Sequence, residues 1–236
     1  MIGRHDQIAE GIFMVGGSGL SDGADCLVYA LDLGDLVLID CGAGSSWKQI
    51  YTNIRSAGLD PDKLHTLLLT HAHVDHIGSA AQIKAETGCR IVAHANDAPA
   101  VESGDPAFTV ASLYGVDLQG VKPDHLMKGE EETLQFEAGE LKLIHTPGHT
   151  PGSMVAVYET GEERILFGQD VHGPFSPAFG SDIEAWRQSM QKLLDLKADV
   201  LCEGHFGVFR PASEVERFIR EQLASHKPMM PEPIPL

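Results

Sequence analysis

The sequence has few basic residues for its length. Its 236 residues include 34 Asp and Glu but only 17 Lys and Arg, which gives a formal net charge of -17 at pH 7. Such a charge repels a phosphate backbone, and the basic residues form no dense cluster that would offset it. We therefore expect a small-molecule substrate and no nucleic-acid partner.

Long apolar runs and paired cysteines are also missing. No stretch approaches the roughly 18 apolar residues that a spanning helix needs, so we expect no membrane insertion. The four cysteines form no C-x-x-C pair, and the N-terminus lacks the apolar segment of a secretory signal. These absences predict a cytoplasmic protein with reduced thiols.

The composition is that of a folded protein. Hydrophobic residues make up 43% and charged residues 22% of the chain. This balance predicts a sizeable core, and the length fits a single domain. We predict one domain over residues 1–226, followed by a Pro-rich arm over 227–236. The arm is the one hint of a homodimer, and a frayed tail is the alternative.

Each half of the chain begins with strand-like segments and continues with helix-like ones. Two halves of this kind predict two mixed sheets packed face to face, with helices outside. Ser-x-x-Glu capping boxes that begin at Ser181 and Ser213 predict the starts of the last two helices. The predicted strands span 11–15, 26–33, 36–40, 67–70, 90–93, 133–136, 141–144, 154–158, 164–167 and 199–202.

A dense group of candidate metal ligands follows the predicted strand over 67–70. His71, His73, Asp75 and His76 lie within six residues. In an extended loop His71 and His73 project to the same side, so both can reach one cation. Asp75 and His76 lie where the chain turns into a helix and can serve a neighbouring cation. The alternative is a solvated histidine cluster without a metal.

Three more candidate ligands each follow a strand-like run: His149, Asp170 and His205. Taken alone, each of these residues is more often a capping or surface residue than a ligand. Together with the first group they form a set of seven residues, all of them His or Asp. Both side chains are common ligands of divalent metals.

These segments resemble the metallo-β-lactamase superfamily. The resemblance rests on THAHVDHIG over 70–78, TPGHTPGS over 146–153, FGQD over 167–170 and EGH over 203–205. It covers nearly the whole chain in the expected order. The resemblance implies an α/β fold, a four-layer αβ/βα sandwich of two mixed β-sheets with outer helices. The site is then expected at the edge where the loops of both sheets meet.

The resemblance also implies two divalent metal ions. Zinc is the first expectation, with iron and manganese as alternatives, because histidine and carboxylate ligands suit all three. Asp40 matches a family aspartate that would orient the ligands. The implied ligands are His71, His73 and His149 for the first ion and Asp75, His76 and His205 for the second, with Asp170 bridging both.

The sequence thus predicts a binuclear metal-dependent hydrolase. A hydroxide that bridges two cations is available at neutral pH because the cations lower the pKa of bound water. Asp75 is the expected catalytic residue, since it can orient the hydroxide and pass a proton to the leaving group. The expected substrate is a small ester, thioester or lactone. His172, Phe175 and Phe179 follow Asp170 and are the candidates for the substrate pocket.

Two other functions stay open. One is a mononuclear iron oxygenase of the persulfide dioxygenase kind, which would use only His71, His149 and Asp170. The other is a catalytically silent metal-binding sensor on the same fold. Residues 171–181 contain no Arg, whereas glyoxalase II and the persulfide dioxygenases have an Arg-containing, Gly-rich stretch after the bridging Asp. This difference disfavours a glutathione thioester as substrate.

Several aromatic residues have a competing structural interpretation. Phe206 and Phe209 are expected in the core rather than at the site. His94 and His145 match no ligand position and are expected at the surface or as caps. For His172, a hydrogen bond to the local backbone is the competing expectation.

Overall fold

The computed structural model describes residues 2–226. The predicted arm over 227–236 lies outside the described residues, so the division of the chain at residue 226 and the homodimer remain predictions. Among the described residues, no helix has both the length and the apolar character needed to cross a membrane.

The first half of the chain forms a seven-stranded sheet with its strands in sequence order. The first four strands form an antiparallel meander, and the remaining strands run parallel to the fourth. The strands are β1 (Asp6–Ala9), β2 (Ile12–Gly16), β3 (Val28–Leu33), β4 (Asp35–Ile39), β5 (Leu64–Leu68), β6 (Arg90–His94) and β7 (His125–Met127).

The second half forms a six-stranded sheet in the order β13-β12-β11-β10-β9-β8. In this sheet β11 and β12 are parallel, and the other neighbours are antiparallel. Its strands are β8 (Glu131–Phe136), β9 (Gly139–His145), β10 (Met154–Glu159), β11 (Arg164–Gln169), β12 (Val200–Glu203) and β13 (Val208–Phe209).

The helices follow the strands as the sequence predicts, but most bounds shift by a few residues. The chain over 74–87 forms two helices with a break at Gly78–Ser79. The helices are α1 (Trp47–Ser56), α2 (Val74–Ile77), α3 (Ala80–Thr87), α4 (Ala98–Ser103), α5 (Ala111–Tyr114), α6 (Ile183–Leu196) and α7 (Ala212–Ser225). Short 3-10 turns occupy Pro61–Lys63 and Pro177–Phe179.

Three apolar clusters show the layers of the fold. The central one joins residues of both sheets, such as Tyr29 and Phe167, whose rings are 5.5 Å apart. A second cluster packs α1 and α3 on the outer face of the first sheet, around Trp47. The third packs α6 and α7 on the second sheet, around Trp186. This order of helix, sheet, sheet and helix confirms the predicted four-layer sandwich.

Both predicted capping boxes are wrong in detail. Asp182, and not Ser181, caps α6, because its carboxylate accepts the backbone N–H groups of Glu184 and Ala185. The Ser181 hydroxyl instead donates to the carbonyl of His149 at 2.6 Å. Helix α7 begins at Ala212 after Pro211, without a side-chain cap. In both places a neighbouring residue fits the helix start better than the predicted serine.

Candidate metal centre

All seven candidate ligands converge at one edge of the sandwich. His71, His73, Asp75 and His76 follow the carboxyl end of β5, and His149 lies between β9 and β10. Asp170 and His205 follow the ends of β11 and β12, which are parallel neighbours. Parallel strands carry their carboxyl ends to the same edge of a sheet, so residues distant in sequence meet there.

The first group consists of His71, His73, His149 and Asp170. His149 Nε2 lies 3.0 Å from His73 Nδ1 and 3.4 Å from Asp170 Oδ2. His71 Nε2 lies 3.8 Å from the same Asp170 oxygen. One atom from each of the four residues therefore lies close enough to share a single cation.

The second group consists of Asp75, His76 and His205 and meets the other oxygen of Asp170. His76 Nε2 is 3.1 Å and His205 Nε2 is 3.2 Å from Asp170 Oδ1. The same two nitrogens lie 3.5 and 3.3 Å from Asp75 Oδ2. Asp170 thus presents one carboxylate oxygen to each group.

These separations fit a metal ion. Ligands at about 2.0–2.1 Å from a tetrahedral zinc ion lie about 3.3 Å from one another, close to most of the observed distances. His71 Nε2, His76 Nε2 and Asp170 Oδ1 are buried and have no hydrogen-bond partner among residues 2–226. Buried polar atoms are rarely left unpaired, and one cation in each group would satisfy these three atoms.

Hydrogen bonds fix which ring nitrogen faces the site. His149 Nδ1 lies 2.8 Å from the carbonyl of Pro174, and His76 Nδ1 lies 2.7 Å from Asp40 Oδ2. Each acceptor requires a proton on Nδ1, which leaves the lone pair of a neutral imidazole on Nε2. In both residues Nε2 is the atom that faces the carboxylate of Asp170.

The histidines of the first group are held neutral. Burial is the main cause that lowers the pKa of His71 well below its ordinary value and that of His73 to about 3. Burial likewise lowers the pKa of His149. Neutral imidazole is the form that binds a metal, so these three residues need to lose no proton on binding near neutral pH.

His205 differs because it faces two carboxylates. Burial acts to lower its pKa, but the carboxylates of Asp170 and Asp75, 3.2 and 3.3 Å from Nε2, outweigh burial and raise the pKa to about 10. A proton on Nε2 and a metal cation compete for the same lone pair. The position that attracts a proton so strongly is therefore one where a cation would be stabilised by the same two carboxylates.

Asp40 acts on two ligands at once. It is fully buried directly after β4, with a positive φ of 58°. Besides accepting from His76, its Oδ2 accepts the Thr70 hydroxyl at 2.7 Å, and Thr70 Oγ1 lies 3.2 Å from His71 Nδ1. Because the Thr70 proton is used on Asp40, the hydroxyl oxygen accepts from His71. Asp40 is therefore in contact with both histidine side chains, directly or through Thr70, and its orienting role remains a prediction.

Sequence reasoning missed Asp97, which joins the two ligand loops. Its buried carboxylate accepts the N–H of Ala72 at 3.0 Å, the Thr150 hydroxyl at 2.7 Å and the N–H of Gly152 at 2.7 Å. Ala72 separates His71 from His73, and Thr150 follows His149. No local sequence pattern predicts this role, because the three partners become neighbours only in the folded chain.

His172 is bound to a side chain rather than to the local backbone. Its Nδ1 lies 2.6 Å from Oε1 of Glu203, which is fully buried. The other Glu203 oxygen accepts the backbone N–H groups of His205 and Phe206. The expectation that His172 bonds to the local backbone is therefore wrong. The Glu203 carboxylate links this histidine to the loop that carries the ligand His205.

The other two predicted pocket residues pack against ligands. Phe179 is 6% exposed, and its ring lies 4.5 Å from that of His73 in an edge-on arrangement. Phe175 packs on Trp186, with ring centroids 5.0 Å apart, and on His149 at 6.4 Å. Both rings thus border the ligand histidines, and contact with a substrate remains a prediction.

The two phenylalanines expected in the core differ. Phe206 is 62% exposed, so that expectation is wrong for it, while Phe209 stacks on Phe218 at 4.1 Å as a core residue would.

The expected surface position of His94 and His145 is wrong, because both are buried and their rings stack at 3.9 Å. The capping alternative fits them better: His94 Nδ1 accepts the N–H of Asn96 at 3.2 Å, and His145 Nε2 lies 2.9 Å from the carbonyl of Pro151. The two histidines pack on each other where β6 and β9 end.

Comparison with known proteins agrees with this geometry. A family model described as the metallo-beta-lactamase superfamily matches residues 22–205. Hydroxyacylglutathione hydrolase GloC of Haemophilus influenzae is 30% identical over 162 residues, which cover 65% of this chain and 74% of that protein. The probable metallo-hydrolase YflN of Bacillus subtilis is 28% identical over 199 residues, covering 72% of this chain and 74% of that protein.

Solved structures show the same fold. The native FEZ-1 metallo-beta-lactamase of Legionella gormanii superimposes with a TM-score of 0.80 and 17% sequence identity, over 95% of this chain and 94% of that chain. The fold, the ligand groups and these relatives define a metal-dependent hydrolase, as predicted. The family match spans well over half of the sequence, and the chain belongs to the metallo-β-lactamase superfamily.

Proposed function

We propose that this chain is a binuclear hydrolase that cleaves a small ester, thioester or lactone. The observation that carries the proposal is the position of Asp170, whose Oδ2 faces the first group and whose Oδ1 faces the second. One carboxylate placed in this way can bridge two cations. The proposed ligands are His71, His73 and His149 for the first ion and Asp75, His76 and His205 for the second.

The proposed chemistry combines the two metal ions with Asp75. When bound, two divalent cations supply an activated water molecule and polarise the substrate's carbonyl oxygen. Zinc is the proposed metal, and iron or manganese would suit the same ligands. Asp75 orients the attacking water and returns its proton to the leaving group. Its carboxylate is suited to this because it lies among the ligands and its side chain retains 6% exposure.

The oxygenase alternative accounts for less of the geometry. It uses His71, His149 and Asp170, which do lie together. It leaves the second group without a role, however. In that group two histidines and the Asp75 carboxylate lie close together beside Oδ1 of Asp170. The second group is therefore what favours hydrolysis over the oxygenase.

Metal content tests the proposal directly. Elemental analysis of protein purified without chelators is expected to give about two zinc ions per chain, one per ligand group. His205→Ala removes a ligand of the second group only and should retain about one ion. His65→Ala is the matched control, because His65 lies on the surface of β5 and contacts Phe136 and not the ligands.

Hydrolysis of an ester, a thioester and a lactone completes the test. The wild-type protein and His65→Ala should hydrolyse at least one of them, and His205→Ala should lose most of that rate. About one iron ion per chain, together with oxygen uptake on a persulfide, would overturn the hydrolase proposal in favour of the oxygenase.

A further inference from the structure

The metal centre is open on the side of His205. The His205 side chain is 30% exposed, whereas those of Asp75 and Asp170 are 6% exposed and that of His76 is fully buried. His205 is thus the most exposed of these four residues, and Asp75 lies 3.3 Å from its Nε2. We call the surface formed by Tyr114, His172 and Phe206 beside these two ligands the entrance.

One wall of the entrance is Phe206. Its side chain is 62% exposed although it directly follows His205. Its ring lies edge-on to that of His172, with centroids 4.7 Å apart, and rests near Phe218 of α7 at 6.1 Å. An exposed phenyl ring next to His205 offers apolar surface that a bound substrate can cover.

Tyr114 borders the entrance on the side of Asp75. It is 42% exposed at the end of α5, and the segment before this helix is fixed to α2 by a 2.8 Å hydrogen bond from Val74 N–H to the Thr109 carbonyl. Its phenol group lies close to the Asp75 carboxylate. Leu113, in the same turn, is 83% exposed.

The entrance also has no Lys or Arg contact among the described residues. Among residues 2–226, the Lys and Arg side chains form their ion pairs with carboxylates away from the metal centre, such as Lys84 with Asp124 and Lys192 with Glu130. The hydrogen bonds of Tyr114, His172 and Phe206 in this part of the chain involve no Lys or Arg. A carboxylate on a leaving group therefore finds none of the described Lys or Arg side chains to pair with at this surface, and the net charge of -17 disfavours its approach from solution.

We propose that the entrance binds an uncharged, apolar leaving group, a thiol or an alcohol, and discriminates against anionic thiol carriers such as glutathione. This specificity rests on the hydrolase function proposed above. In the reaction a C–S or C–O bond of the substrate breaks, water supplies the oxygen of the new C–O bond, and a proton from that water passes to the leaving group. The leaving group lies beside Asp75, which returns this proton, and is covered by Phe206 and Tyr114.

Two thioesters with the same acyl group provide the test, one of benzyl mercaptan and one of glutathione. Glutathione carries more carboxylates than amines, whereas benzyl mercaptan is apolar and uncharged. We expect kcat/KM to be at least about tenfold higher for the benzyl thioester at low ionic strength. Raising the ionic strength from about 0.01 M to about 0.5 M should speed the glutathione reaction and leave the benzyl reaction unchanged, because salt screens the repulsion.

Substitutions at the entrance test whether its side chains cause this preference between leaving groups. Phe206→Ala should raise KM for the benzyl thioester about tenfold with little change in kcat, since it removes a binding contact that the substrate and transition state share. Tyr114→Ala should act in the same direction and Tyr114→Phe much less. Ile2→Ala is the control, because Ile2 is also an exposed apolar residue but lies next to α1. All variants should keep the wild-type metal content.

The outcomes separate the two proposals. Hydrolysis of neither thioester, nor of an ester or a lactone, by protein that holds both metal ions would overturn the proposed function. Hydrolysis in which glutathione is the equal or better leaving group would overturn the specificity alone. An equal loss for both thioesters in Phe206→Ala would also overturn it, because the ring would then not select between leaving groups.

Discussion

The two halves of the molecule supply their candidate ligands in opposite ways. The first half places His71, His73, Asp75 and His76 on one segment after β5. The second half places His149, Asp170 and His205 after three different strands. Four ligands on one segment share one backbone, whereas three on separate strand ends each depend on the packing of the second sheet.

This difference shows which contacts the site depends on. The single segment needs few restraints, and Asp40 and Asp97 bind its backbone or side chains directly. The separated ligands are joined to it by Asp170, which faces both groups, and by Asp97, which also binds the loop of His149. The halves should therefore differ in how they respond to loss of a carboxylate.

The largest effect is expected from Asp170→Asn. Loss of a residue that only orients a ligand costs about 10–100-fold in activity, so loss of the carboxylate that faces both groups should lower kcat/KM by more than about a hundredfold. Metal analysis should show loss of at least one ion. Asp124→Asn is a matched control, because Asp124 is a surface carboxylate paired with Lys84. Full activity with both ions bound would exclude the bridging role of Asp170.

Substitution of two orienting carboxylates should affect the two ligand groups differently. Asp97→Asn disturbs only the loops of the first group, whereas Asp40→Asn disturbs His76 directly and His71 through Thr70. We expect Asp97→Asn to weaken binding of one ion and Asp40→Asn that of both, each by about 10–100-fold. Titration with a chelator of graded strength measures the two affinities. Equal weakening of both ions in Asp97→Asn would contradict this assignment.

The same contrast explains what the sequence could predict. The ligands on one segment are visible as a motif because their spacing is local. Ligands of the second half were found through strand ends and the family resemblance. Asp97 escaped prediction because its partners Ala72 and Gly152 lie 25 and 55 residues away. A contact between distant segments leaves no periodic signal in the sequence.

The layers of the fold are predictable from the sequence, whereas the ends of its helices are less so. Alternating apolar segments suffice to predict two sheets, because strands and helices must bury one face. Helix starts and exposed rings are decided by competition between neighbours. Asp182 displaced the predicted cap Ser181, and Phe206 lies at the surface although its apolar character favours the core. Such choices depend on a few contacts that only the assembled structure provides.

The smallest effect is expected at the pair of histidines that packs between the halves outside the ligand groups. His94 is 3% exposed and stacks on His145 with an interplanar angle of 8°. Burial, followed by the nearby His145, lowers the pKa of His94 to about 4. Because an unfolded histidine titrates near its ordinary value, about 6.5, the unfolded chain binds the extra proton first as the pH falls.

His94 should therefore make the folded protein lose stability as the pH falls from about 6.5 to about 4. His94→Phe keeps a ring on His145 but cannot bind a proton, so its melting temperature should fall less over this range than that of the wild type. The ligand histidines titrate in both proteins, and the difference between the two melting curves isolates His94. Parallel pH dependences would show that His94 is not held neutral by its position between the two sheets.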